Sequence, residues 1–147
     1  MQRNWSELLH HSIPLAQAMQ VGVVADEDGL HLVAPLEPNV NDKGTGFGGS
    51  LSALATLAGW CACLRILDKH DAGHGVEIVI QRSTIEYALP VTGKMIIVPR
   101  AIDGDAQARF VRMLSRKGLG RLAVVVEVRV ADEVCVTFQG EYVARKV

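Results

Sequence analysis

The chain has 147 residues, of which 49% are hydrophobic, with fifteen Lys and Arg against sixteen Asp and Glu and a formal charge of −1. That is one domain's worth of chain, 1–147, with material for a real core and no global basic footprint, so nucleic acid is not an expected partner. The start, Met1-Gln-Arg-Asn-Trp-Ser-Glu7, lacks the apolar run of a signal peptide, and no apolar run reaches spanning length without Gly, Arg or Asp, so a soluble cytoplasmic protein without membrane contact is expected.

Asn4 with Glu7 three residues on fits a capping box for a short helix, and Ser12 with Pro14 opens a second turn carrying Leu15, Ala18 and Met19. Val21 to Ala25, the turn Asp26-Glu-Asp-Gly29 and Leu30 to Leu36 read as a β-hairpin, ended by Pro35 and Pro38. A polar, glycine-dense loop follows, Asn39-Val-Asn-Asp-Lys-Gly-Thr-Gly-Phe-Gly-Gly-Ser50. Its glycines permit close backbone approach, and the helix after it leaves its first N–H groups unpaired, where an acyl carbonyl oxygen could be polarised. From Ser50 to Asp68 the apolar residues keep helical spacing, yet the remaining face is also apolar or small, which predicts a central helix buried on nearly every side. Cys61 and Cys63 sit two apart on that helix and face different ways; Cys135 adds no cluster, so no metal or cofactor is expected.

Val76 to Ala88 reads as a strand whose apolar phase changes, predicting a bulge near Arg82 to Thr84. Leu89 to Gly93 is a turn and Lys94 to Ile102 a strand. Asp105 to Lys117 is a basic amphipathic helix, with Arg109, Arg112 and Arg116 around Phe110, Met113 and Leu114. Leu122 to Val130 alternates cleanly and is expected as an edge strand in need of cover; Val134 to Tyr142 continues the pattern after the turn at Ala131 to Glu133. His70 and His74 flank a loop, and His10 and His11 are adjacent; no histidine has a clear partner.

This α+β order resembles the hotdog fold, a curved antiparallel sheet wrapped around a long central helix. The glycine loop, Ile13-Pro14 and Ala58-Gly-Trp60 more narrowly resemble the YiiD C-terminal-domain family of thioesterases, some of which are associated with malonyl-ACP decarboxylation. In the related phenylacetyl-CoA-type thioesterases the loop reads Asn-x-x-Gly-x-x-His-Gly-Gly, with an acid seven positions after the second glycine. Asn41, Gly44, Gly48 and Gly49 match it; Phe47 stands at the His and Thr56 at the acid.

The resemblance implies an enzyme acting on acyl thioesters of CoA or acyl carrier protein, either by hydrolysis or, since Thr56 cannot be a base, by decarboxylation of a malonyl thioester. A binding module without turnover is the competing class. Asn41 and the Gly48 N–H are expected at the carbonyl, with hydroxyls from Thr45, Ser50 or Thr56 nearby and Phe47 and Gly49 lining the substrate. Asp42 is the one acid in the loop and reads as a solvated turn residue. Ser83 and Thr84 read as local hydrogen-bonding groups. Arg109, Arg112, Arg116, Lys117 and Arg121 are candidates for CoA phosphates or the acidic surface of acyl carrier protein. Hotdog sites usually form between protomers, so a homodimer or a dimer of dimers is expected.

Overall fold

The structure, a computed structural model, describes residues 3–147. Helix α1 (Trp5–Ser12) starts with the N-cap half of the expected capping box: Asn4 Oδ1 accepts from the Glu7 N–H at 3.2 Å, while Glu7 Oε2 accepts from the Asn4 side-chain Nδ2 at 2.9 Å and not from its backbone. Helix α2 (Pro14–Ala18) follows with Pro14 in its first turn; Ala16 and Met19, rather than Leu15 and Ala18, face the core. The hairpin of β1 (Gly22–Ala25) and β2 (Leu30–Ala34) turns where Asp26 Oδ1 accepts from the N–H groups of Asp28 and Gly29, which holds its carboxyl below the usual range.

Helix α3 (Gly48–Lys69) begins two residues before the expected Ser50, so both glycines belong to its first turn. By composition it is the one described helix long and apolar enough to cross a membrane, but most of it is buried in this fold. It lies against a six-stranded sheet formed by β1, β2, β3 (Val76–Tyr87), β4 (Met95–Pro99), β5 (Leu119–Val130) and β6 (Glu133–Lys146) in the order β1-β2-β4-β5-β6-β3, every pair antiparallel. The sheet is curved around α3, the hotdog arrangement.

One contiguous core fills the space between helix and sheet, with Leu32, Leu54, Leu67, Met95, Ile97, Phe138 and Tyr142 fully buried. Gly59 is what lets Tyr142 in: a Cβ there would stand 2.2 Å from the tyrosine oxygen, which instead donates to the Thr56 carbonyl at 2.7 Å. Trp60 Nε1 donates to the Ile78 carbonyl at 3.1 Å and fastens α3 to β3.

Two expectations need correction. β5 is not an edge strand, because β4 and β6 cover both its sides; the outer strands are the short β1 and the long β3, the latter brought beside β6 after the chain has crossed α3. Alternation records which face is buried, not which strands are neighbours. The β3 irregularity lies between Ile80 and Arg82, at the front of the expected window. Helix α4 (Gly104–Lys117) starts at Gly104 because the preceding Asp103 caps it, accepting from the Ala106 N–H at 3.3 Å, and stops at Gly118 with φ 74°.

Candidate active site

The glycine loop is closed on itself. Val40 bridges Gly46, the Asn41 N–H donates to the Thr45 carbonyl at 2.8 Å, and Gly44 turns the chain at φ 81°. Gly46 is pressed against the wall behind it: its N–H donates to the Val91 carbonyl at 2.8 Å, and a Cβ there would stand 2.8 Å from the Val91 Cβ. The Phe47 N–H donates to the carbonyl of Asn39, itself buried and donating through Nδ2 to the Met19 and Pro35 carbonyls. The chain is thereby delivered to the start of α3 at a fixed angle.

Phe47 is the N-cap of α3, and its side chain caps nothing. The Leu51 N–H returns to the Phe47 carbonyl, while the N–H groups of Gly48, Gly49 and Ser50 have no hydrogen-bond partner among the described residues. A cavity of about 320 Å³ opens beside the first of them, lined by Gly46, Gly48 and Leu51 on one side and by Tyr87 to Val91 on the other. The Tyr87 hydroxyl donates to the Gly48 carbonyl at 3.3 Å and braces the first turn from β3. Unpaired N–H groups, a helix's positive end and an apolar wall together make a place where a carbonyl oxygen gains charge favourably.

Asn41 is expected at the carbonyl, and its side chain is spent elsewhere. Oδ1 accepts from the Lys43 and Thr45 N–H groups at 2.8 and 3.1 Å, and Nδ2 donates to Thr45 Oγ1 at 2.8 Å and to the Gly46 carbonyl at 3.4 Å. Both donors and the acceptor are in use, so Asn41 shapes the loop. Thr45 is that bond's acceptor. Thr56 donates through Oγ1 to the Ser52 carbonyl at 2.8 Å, and lies eight residues from Gly48, about 12 Å along the helix. Within one chain the two cannot touch one carbonyl.

Phe47 is 54% exposed and its ring lies over Gly49, where a Cβ would stand 2.5 Å from it; Ser50 is half-buried in the same turn, and none of the three, expected against the substrate, is among the residues that line the cavity. Asp42 is exposed and paired with Lys43 at 3.0 Å, away from the cavity lining, as a solvated turn residue should be. Ser83 and Thr84 are exposed on β3 and line no cavity described for the fold, and His70 and His74 are exposed in the stretch that follows α3. Burial pushes Cys61 up to about 12 and Cys63 higher still, so neither is a thiolate nucleophile at neutral pH. Arg112 and Arg116 lie exposed on α4; the arginines that line the larger cavity beside that helix, of about 620 Å³, are Arg109 and Arg121.

The site residue that sequence reading missed is Tyr87. Its alternation marks it only as a strand residue, and its contact with Gly48 spans 39 positions.

The family model described as "Putative thioesterase (yiiD_Cterm)" matches residues 2–146. The chain belongs to the YiiD C-terminal-domain family. Among solved structures, this YiiD-type chain is similar to a protein of unknown function from Chlorobaculum tepidum, with 29% identity over 97% of this chain and 93% of that one and a TM-score of 0.85. A putative thioesterase from Shewanella oneidensis is 26% identical over 96% of this chain and 94% of that one, TM-score 0.84. A thioesterase from Haemophilus influenzae shares the fold at 12% identity, over 99% and 93% of the two chains, TM-score 0.69. Membership in this family places the protein, at a general level, among thioesterase-like enzymes.

Proposed function

We propose that the protein works on acyl thioesters of CoA or acyl carrier protein, holding the thioester carbonyl at the Gly48 N–H. The observation that carries this reading is the set of three unpaired N–H groups opening α3 beside a partly apolar cavity. The family's name favours hydrolysis, in which water attacks the carbonyl, the thiolate leaves and a base takes the water's proton.

A second reading is favoured by the cavity lining, which holds no carboxylate and no imidazole among the described residues. Decarboxylation of a malonyl thioester needs no such base. The bond from the α-carbon to the carboxylate carbon breaks, CO₂ leaves, the electron pair becomes an enolate whose oxygen meets the N–H groups, and a solvent proton reaches the α-carbon to give an acetyl thioester.

Two copies complete the site in this proposal, since Gly48 and Thr56 are about 12 Å apart in one chain. The outer edge of β3, twelve residues long with Val79 57% and Tyr87 51% exposed, is the surface that asks for cover. Light scattering should give twice the mass of 15.9 kDa, and a monomer would remove this part of the reading.

The experiment is mass spectrometry of the purified protein with malonyl-ACP, acetyl-ACP and longer acyl-CoAs. Free carrier thiol identifies a hydrolase, and acetyl-ACP formed from malonyl-ACP with little free thiol identifies a decarboxylase. Substrates bound but returned unchanged would overturn both and leave a binding module.

A further inference from the structure

We propose that the basic face of α4 is the docking surface for an acidic partner protein, the carrier that bears the acyl thioester; this rests on the acyl-thioester reading above. Residues 109–121 hold Arg109, Arg112, Arg116, Lys117 and Arg121 and not one acid, a third of the chain's fifteen basic residues. All five are exposed, and none has a carboxylate within ion-pair distance among the described residues.

The fold makes little use of them. Helix α4 is held down by Phe110 and Leu114, capped by Asp103 and ended by Gly118. Arg116 and Lys117 in the last turn complement the helix's negative end, which accounts for those two alone. Arg109, Arg112 and Arg116 recur every three or four residues, so they share one face and repel one another. A stripe of like charge with no internal partner is built for an external one.

The shape of the stripe selects the occupant. From Arg109 to Arg116 the cations extend about 10 Å along the helix, without converging on one point. The cavity that Arg109 and Arg121 line also carries Asp105 and Glu141, which weakens it as a pocket for an isolated phosphate. An extended acidic surface fits a spread of cations better than one phosphate group does. The same cavity reaches Leu122 and Tyr142, and Tyr142 touches the carbonyl of Thr56 on the central helix.

The test compares one acyl group borne on acyl carrier protein and on CoA, for the intact chain and for the double variant Arg112→Glu/Arg116→Glu. The proposal expects kcat/KM on the carrier-borne substrate, divided by that on the CoA-borne one, to fall at least about tenfold, in a protein that still melts cooperatively, a little below the parent because Arg116 stands at the helix's negative end. The charge-neutral pair Arg112→Gln/Arg116→Gln should give a smaller fall in the same direction and keeps the test valid if the reversal fails to fold. An unchanged ratio overturns the proposal, a loss confined to the CoA-borne substrate overturns it in favour of a CoA phosphate site, and an equal loss on both overturns it in favour of a group that both substrates share. A change of assembly state by light scattering would mark a contact between copies and overturn it as well. Direct binding of the carrier, measured by calorimetry, separates the two readings: carrier binding lost on charge reversal, in a protein that turns over neither substrate, sustains the docking surface while the enzymatic reading fails.

Discussion

In the proposed site, Asn41 and Gly48 divide the work that holding a carbonyl needs. The Asn41 amide forms four bonds inside the loop, and the loop in turn fixes where the Gly48 N–H points. Asn41→Ala should cost about 1–2 kcal/mol of stability and, by letting the loop shift, lower kcat/KM by about 100-fold. Asn41→Asp separates positioning from contact. It keeps the acceptors for Lys43 and Thr45, so activity should recover in part, whereas an asparagine that touched the oxyanion would be replaced by a repelling charge and recover nothing. Steady-state kinetics on the two variants decides between them. At this scale Gly44 is legible in the sequence, because it answers the local demand of a turn, whereas Gly46 answers a close approach to Val91, far along the chain. The commitment of Asn41 is less so, since the same Asn-Asp-x-Gly pattern serves a turn and a site alike.

The elements show why some boundaries can be read and others cannot. Helix α3 announces itself by being apolar or small on nearly every side, and α1 by its Asn4 cap, both properties of neighbouring residues. The start of α4 is readable in principle from Asp103, whose cap opens the helix one residue before the expected Asp105. Strand order is not, because it rests on pairings between distant segments, and β5 with its regular valines lies between β4 and β6. β5 also carries Glu127, 7% exposed, whose carboxylate accepts from Arg129 and Arg100 across to β4's end. The Arg129 hydrogen bond, with help from Arg100, holds that carboxyl below its ordinary range against the effect of burial. The stability it adds is therefore complete above the unfolded value of about 4.3 and disappears as pH falls through the depressed folded value. Glu127→Gln should lower stability at pH 7 by about 1–2 kcal/mol, a modest figure because both guanidinium groups are about half exposed. Urea unfolding of both proteins should show the gap closing below about pH 4; a gap that persists unchanged at pH 2 would assign the loss to packing.

In the whole molecule, the curved sheet and α3 bring the glycine loop, Tyr87 and the Pro90–Val91 wall to one end of the central helix and leave Thr56 two turns away. The fold class is legible because element order and a buried helix constrain it strongly. The site is half legible: its floor is local sequence, and its walls come from residues some forty positions away. The acid missing at Thr56 is what separates the two proposed reactions, hydrolysis and decarboxylation, and in the proposal each depends on the same polarised carbonyl.

That shared dependence is open to one direct measurement. Gly48 is the first residue of α3, a position where proline is accommodated, Phe47 before it is already extended at φ −71° and ψ 128°, and a Cβ at Gly48 would meet only ordinary contact with the Tyr87 ring at 3.5 Å. Gly48→Pro therefore deletes one N–H while keeping the helix, and Gly48→Ala adds a comparable Cβ while keeping the N–H. The account predicts that kcat on the thioester identified by product analysis falls by about 100- to 1,000-fold in Gly48→Pro and far less in Gly48→Ala, with both melting near the parent. Equal activity in the folded proline variant and the parent would contradict it, and the carbonyl would have to be held elsewhere.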